Sequence, residues 1–299
     1  MKNYHSKKPN TFFIGAPKCG TTAMAQYLST HPNVCVSKPK EPNFFIQGAQ
    51  DSRYESVDDY LKKCFYHCQK EDVLIDGSIK SLQADGAIKR ILDFNPDARF
   101  LIMLRNPIDA AYSLYSMYKS RLKEDARSFK MAWYRDLGKK ERINGRMPNK
   151  ENGLLNYKET FLYGQQIEKL FSMVSKNQVK IVLFRNFKND PKRAYLRFID
   201  YLNISQEINT HFPEINQDNR SKSKIVKKAL DALSDLKKAL GVPRFHSGVF
   251  SKVYSLNSRR HNREPLSDNF RDELKQHFAD NAEKLKELTG IDILNKSKR

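Results

Sequence analysis

Apolar positions along this chain fall into two patterns, compact runs of strand length and longer stretches in which they recur at helical spacing. Thr11–Ala16 is a β-branched and aromatic run closed by a Gly/Pro turn, after which Met24, Tyr27 and Leu28 space a helix over Thr21–Ser29. Further strands are predicted at Val34–Val36, Val73–Asp76, Arg99–Leu104 and Lys180–Phe184, each apolar on both faces. Helical patterns lie between them at Ser56–Cys64, Ala84–Phe94, Ile108–Arg121, Tyr163–Val174 and Pro191–Tyr201. A strand apolar on both faces must be covered on both, and strands alternating with helices join as parallel βαβ units. The expected class is therefore α/β, three layers with a central parallel sheet.

Toward the C-terminus the pattern becomes helical, with Lys224–Leu240 and an amphipathic Leu266–Leu288 that aligns Phe270, Leu274, Phe278, Leu285 and Leu288. Asp136–Asn152 is polar and broken by Gly138, Gly145 and Pro148; it reads as a surface excursion that either borders a substrate site or is an ordinary loop. Neither an internal repeat nor a low-complexity tract is present, so residues 1–299 read as one domain. Within it, residues 1–10 are expected to be flexible, and 216–265 to form a basic subregion.

Composition narrows the classes. The chain has 299 residues, 39% of them hydrophobic, which supplies a core despite a formal charge of +20 and excludes a disordered chain. No run approaches the ~18 apolar residues of a membrane span. Met1–Asn10 is basic, but Phe12–Ala16 is too short for a signal-peptide core, and a cytoplasmic location is expected. Cys19, Cys35, Cys64 and Cys68 are too few for a disulfide framework, which fits a reducing compartment. Cys64 and Cys68 lack a second ligand pair, so they read as a half-buried helix face rather than a metal site. The positive charge concentrates between Asp218 and Arg263, where twelve Lys or Arg face three Asp or Glu, a distribution suited to a polyanionic cofactor, lipid, polysaccharide or nucleic acid.

Gly15-Ala16-Pro17-Lys18-Cys19-Gly20-Thr21-Thr22 lies between the first strand and its helix, where phosphate loops occur. Main-chain N–H groups in such a turn, with the positive end of the helix, hold an oxyanion without side chains. A nucleoside-triphosphate loop places Lys directly after the second Gly and a hydroxyl next for magnesium. Here Thr21 stands in the Lys position, and the loop's lysine, Lys18, comes three residues earlier. The strands Arg99–Leu104 and Lys180–Phe184 lead into Arg105 and Arg185 rather than into a magnesium-binding acid. A magnesium-dependent small-molecule kinase is thereby disfavoured.

With these residues in view, the chain resembles the PAPS-dependent sulfotransferases, PAPS being 3′-phosphoadenosine 5′-phosphosulfate, and within them the bacterial and heparan-sulfate-like branch. Phe12 to Thr22, continuing through Leu28 to His31-Pro32, looks like the family's 5′-phosphosulfate loop and helix. Lys40-Glu41-Pro42-Asn43-Phe44-Phe45 is similar to its K-E-P-x-F-F segment, and Arg105-Asn106-Pro107 with Ser113 resembles the R-[DN]-P and downstream Ser of its 3′-phosphate site. Tyr163 to Ile167, the strand ending at Phe184 with Asp190-Pro191, and Glu264-Pro265-Leu266 follow in the family's order. Asp76-Gly77-Ser78-Ile79 departs from its E-x-[ST]-P by Asp for Glu and Ile for Pro.

The resemblance implies a P-loop-like fold and metal-independent transfer of a sulfuryl group from PAPS to an acceptor hydroxyl, leaving 3′,5′-ADP. It implies Pro17, Lys18, Cys19, Gly20, Thr21 and Thr22 at the 5′-phosphosulfate, with Lys18 stabilising charge on the bridging oxygen. Arg105 and Ser113 are implied at the 3′-phosphate, and Arg220, Lys222 and Lys224 as candidates to close on it, or as a solvated basic face. Glu41 is the candidate general base, kept ionised by Lys38 and Lys40. His31 is an alternative base, at a position that also matches a structural role. The expected acceptor is a carbohydrate, among them an acidic glycan, or a small metabolite. No nucleic acid partner, metal or membrane span is expected. A non-enzymatic polyanion-binding module remains as a rival, favoured by charge alone.

Overall fold

The computed structural model describes residues 8–46, 54–121, 123–135, 156–206, 212–213, 219–221, 258–260 and 264–295. Five parallel strands form the sheet: β1 (Thr11–Gly15), β2 (Val34–Val36), β3 (Val73–Asp76), β4 (Arg99–Leu104) and β5 (Val179–Leu183), in the order β2-β3-β1-β4-β5. Helices flank it: α1 (Thr21–Leu28), α2 (Val57–Phe65), α3 (Ala87–Phe94), α4 (Pro107–Ser120), α5 (Phe129–Tyr134), α6 (Tyr163–Phe171), α7 (Phe184–Asn189), α8 (Pro191–Leu202) and, near the end, α9 (Asp268–Thr289). The α/β expectation holds.

β1 and β4 are the centre of the sheet, and every residue from Phe12 to Ile14 and from Phe100 to Leu104 is buried. Adjacent residues on a strand point to opposite faces. Accordingly Phe12 packs its ring against Phe45 and Phe100, while Phe13 meets Phe198 of α8. α9 buries Phe270, Leu274, Phe278 and Leu285 and lies along α6, where the Asn281 side chain accepts the Gly164 N–H at 2.6 Å.

Several boundaries differ from the sequence reading for visible reasons. The fifth strand stops at Leu183, because Phe184 begins α7. Of the stretch expected to be flexible, the described residues 8–10 include Asn10, whose N–H and C=O bond Leu74 of β3 and Arg99 of β4. A short antiparallel pair, β6 (Asn219–Ser221) with β7 (Ser258–Arg260), was not foreseen. The predicted helix Lys224–Leu240, the polar excursion Asp136–Asn152 and most of the basic subregion 216–265 lie outside the described residues.

The cysteine reading needs a correction. Cys35 of β2 and Cys68, just past α2, form a disulfide with Cα atoms 5.7 Å apart. They stand 33 residues apart in sequence, and only the packing of the α2 end beside the edge strand brings them together. Cys64, one helical turn before Cys68, is buried and donates to the Tyr54 hydroxyl at 3.0 Å, so the two do not form a ligand pair.

Candidate active site

Gly15 ends β1, and the Ala16 N–H donates to the Met103 carbonyl of β4 at 2.8 Å, so the loop leaves the sheet already tied to its neighbour strand. Lys18 and Gly20 take left-handed backbone, at φ 63° and 84°, and reverse the chain over a few residues. Gly20 is the N-cap of α1, and no side chain caps that end. The first intrahelical bond runs from Met24 N–H to Gly20 C=O, so the amides of Thr21, Thr22 and Ala23 have no acceptor within the helix. Such a turn at the positive end of a helix suits a phosphate or sulfate group. Gly20 is obligatory twice over: its φ is left-handed, and an added Cβ would lie 2.9 Å from the Phe184 ring.

Pro17 and Cys19 shape this loop from beneath. The Cys19 thiol donates to the Pro17 carbonyl at 3.3 Å and touches the Tyr163 hydroxyl at 3.6 Å. Burial pushes that thiol up to about 11, against the smaller opposing pull of Tyr163, Arg105 and Lys18. It is a neutral packing group, which leaves Cys19 only its main chain for a ligand. Thr21 is buried and Thr22 half-buried.

The sheet order places this loop at a topological switch point. The connection after β1 runs toward β2 at one edge, and the connection after β4 runs toward β5 at the other, which opens a crevice at the strands' carboxyl ends. Arg105 enters it directly after β4. Its Nη1 donates to the Lys18 carbonyl at 3.4 Å, and its guanidinium lies 4.7 Å from the Phe184 ring centroid, a cation–π contact that orients the fork. The next two residues start α4: Asn106 Oδ1 accepts the Ile108 and Asp109 N–H groups at 3.0 and 3.4 Å, and Pro107 occupies the first helical turn. Ser113 is buried in the second turn of α4. β6, which carries Arg220, lies against α4. Lys222 and Lys224 are outside the described residues.

Glu41 arrives on a third segment, stitched to the end of β3. Ser37 N–H donates to the Ile75 carbonyl at 2.9 Å, and Ser37 Oγ donates to the Lys40 carbonyl, also at 2.9 Å. Asn43 N–H donates to Ser78 Oγ at 2.8 Å. Gly77 is packed so tightly that a Cβ would stand 2.5 Å from the Lys40 carbonyl oxygen. Thus held, Lys40 Nζ sits 3.3 Å from Glu41 Oε1 and 3.4 Å from Thr21 Oγ1, linking this segment to the Gly15–Thr22 loop. The two side chains are 20% and 33% exposed, so the pair is screened less than a surface ion pair. Burial holds the Lys40 ammonium below the usual lysine range, opposed by the charges of Glu41 and Asp76. Lys80 is lowered likewise, and Glu41 is the acid that opposes it.

Sequence reasoning had given Lys40 only a share in a general field; the geometry gives it a bridging position. Lys38 is exposed and acts instead on His67. His31 serves the fold: its Nδ1 accepts the Asn33 N–H at 3.1 Å, so Nε2 carries the proton and donates to the Ser205 carbonyl at 2.8 Å. Asp76 had been overlooked as an acid closing an apolar strand beside β1. It is fully buried, accepts from the Tyr60 hydroxyl at 2.6 Å and the Ser78 N–H at 2.9 Å, and burial raises its carboxyl above the ordinary range. Both its oxygens are engaged in holding the turn after β3. Cys35, His67 and Cys68 bring three ligand-type atoms within 4.8 Å of one another, yet the two sulfurs are bonded together and offer no thiolate to a metal.

A parallel α/β sheet with a glycine-bounded turn between its first strand and first helix, and with cations on neighbouring segments rather than a lysine after the second glycine, defines a P-loop-like α/β fold. Within that class the chain belongs to the sulfotransferase family, whose sulfotransferase domain matches residues 8–286. Bifunctional heparan sulfate N-deacetylase/N-sulfotransferase 1 of Homo sapiens is 23% identical over 210 residues, 68% of this chain and 23% of that protein. Heparan sulfate glucosamine 3-O-sulfotransferase 3B1 of Mus musculus is 23% identical over 209 residues, 68% of this chain and 48% of that protein. The match thus spans less than half the length of either relative. The crystal structure of a sulfotransferase from Alicyclobacillus acidocaldarius superposes with a TM-score of 0.69 at 24% identity, covering 96% of this chain and 97% of that one, a likeness of fold.

Proposed function

We propose that this chain transfers a sulfuryl group from PAPS to an acceptor hydroxyl without a metal ion, leaving 3′,5′-ADP. The observation that carries the reading is the meeting of three segments: the Gly15–Thr22 loop, the Arg105 guanidinium against its Lys18 carbonyl, and the Lys40–Glu41 pair bonded to Thr21. When bound, PAPS supplies an S–O bond whose cleavage leaves charge on a phosphate oxygen.

The uncapped amides of Thr21 and Thr22, with the Gly20 amide beside them, would hold the 5′-phosphate, and the Lys18 ammonium would stabilise the departing oxygen. Arg105, its fork oriented by Phe184, suits the 3′-phosphate, with Ser113 and, from β6, Arg220 as further contacts. Lys222 and Lys224 belong to the same proposal. Glu41 would take the proton from the acceptor hydroxyl, a role that contributes roughly 10²- to 10⁴-fold in rate. The heparan sulfate enzymes among the relatives and the +20 charge favour a carbohydrate, and among carbohydrates an acidic glycan.

The rival magnesium-dependent kinase would need a lysine directly after the second glycine, where Thr21 stands instead. Isothermal titration in EDTA separates the two: 3′,5′-ADP is expected to bind far more tightly than ATP or 5′-AMP. Equal affinities would remove the 3′-phosphate site. Mass spectrometry of an acceptor library incubated with PAPS then identifies the sulfated group.

A further inference from the structure

We propose that Cys35, Cys68 and His67 form a thiol–disulfide exchange site, with a dithiol reductant as its substrate, and that the state of this pair controls how firmly the Glu41 segment is held.

The anatomy favours exchange over a purely structural crosslink. Cys35 is buried on β2, whereas Cys68, just beyond α2, is only partly buried, so of the two sulfurs it is the one on the more accessible residue. His67 Nε2 donates to the Val36 carbonyl at 3.0 Å and lies 3.4 Å from Cys35 Sγ, so a proton-bearing nitrogen stands beside the buried sulfur. Burial and the Lys38 charge lower the imidazole's proton affinity, which keeps it neutral at pH 7. Its Nδ1 is buried with no hydrogen-bond partner, a cost in a structural residue and a vacant proton acceptor in a reacting one.

The step balances simply. A reductant thiolate attacks Cys68 Sγ, the Cys35–Cys68 bond breaks, and Cys35 leaves as a thiolate beside the His67 Nε2–H. The reductant's second thiolate then attacks the mixed disulfide, the reductant departs as a cyclic disulfide, and its two protons end on the cysteine pair. A hydrogen bond from the neutral imidazole's N–H and the charge of a nearby lysine stabilise the departing thiolate and make it the better leaving group.

Position gives the exchange a consequence. β2 is a three-residue edge strand, paired with β3 on one side only, and the disulfide ties its other side to the end of α2. Two residues past Cys35 begins the segment that carries Lys40 and Glu41, and its Lys38 N–H also bonds α2 through the Cys64 carbonyl at 2.9 Å. Cutting the disulfide removes the covalent tie at the start of that segment, whose first residues then rest on hydrogen bonds while Phe44 and Phe45 stay packed on Tyr60, and short elements with few anchors open first.

The test uses the full chain in buffers poised from oxidised to reduced dithiothreitol, with alkylation, peptide mapping and hydrogen exchange. Cys35 and Cys68 are expected to become alkylated together, and amides of residues 37–45 to exchange about five- to thirtyfold faster in the reduced protein, with β4 unchanged. His67→Asn is expected to slow reduction about tenfold, the scale on which leaving-thiol acidity sets exchange rates. A pair that stays oxidised in folded protein under excess reductant overturns the proposal, as does reduction with no change at 37–45. Cys35→Ser with Cys68→Ser should reproduce the reduced state; where it fails to fold, reduced native protein gives the same reading. A further expectation, lower turnover on reduction, rests on the function proposed above. Oxidised protein inactive with PAPS would sink that function while alkylation and exchange still decide the switch.

Discussion

At the scale of single residues, Lys18, Glu41 and Lys40 divide the proposed chemistry, and substitutions separate them. Lys18→Ala removes the cation at the departing oxygen and is expected to lower turnover by about 10²- to 10³-fold, the loss usual for one charge-stabilising donor, with the thermal midpoint unchanged. Glu41→Gln keeps the shape and removes the base; turnover should fall roughly 10²-fold or more while calorimetry finds the affinity for 3′,5′-ADP unaltered. Lys40 calls for a different readout. Its ammonium is held below the usual lysine range by burial, so it loses its proton at a lower pH than a solvated lysine would. Activity that depends on this charge declines on the alkaline side as the proton leaves. Lys40→Arg, whose guanidinium stays charged, should move that decline to higher pH, and an unmoved profile would remove Lys40 from the site.

At the scale of elements, the site depends on how tightly the 37–43 segment is laid on the end of β3. Gly77 is the point of closest approach, with room for no Cβ beside the Lys40 carbonyl. Both candidate atoms in this contact are backbone or bonded to it, so neither can swing aside. Gly77→Ala is expected to cost about 1–3 kcal/mol in urea unfolding and to reduce turnover more than donor affinity, since the displaced segment carries Glu41 and not the phosphate loop. Loss of donor affinity to the same extent would mean that the segment and the loop move as one unit.

At the scale of the whole molecule, the proposed donor site is assembled from the loop after β1 and the residue after β4, so a ligand filling it joins parts distant in sequence. A ligand that binds only the folded state stabilises it by about 2.7 kcal/mol at one hundred times its dissociation constant. 3′,5′-ADP should therefore raise the thermal midpoint equally in magnesium and in EDTA, and 5′-AMP much less. A shift that requires magnesium would favour the kinase reading. No helix among the described residues is long and apolar enough to cross a membrane.

What the sequence determined by itself was local or carried by order along the chain. The five strands of the main sheet, most of the helices around it and the glycine-bounded turn after β1 were legible because periodicity and glycine placement act over a few residues, whereas the short helices α5 and α7 and the β6–β7 pair were not. Thr21 in place of a Walker lysine and the Arg105-Asn106-Pro107 turn were legible in the same way. Tertiary structure alone decided which of these meet. Lys40 was set apart from Lys38 by the packing of Gly77, Asp76 was drawn into a buried hydrogen-bond pair, and Cys35 was joined to Cys68 across the sheet edge. Those outcomes depend on contacts between residues many positions apart, whose energies come from burial and close approach in the folded chain, and no spacing in the sequence encodes them.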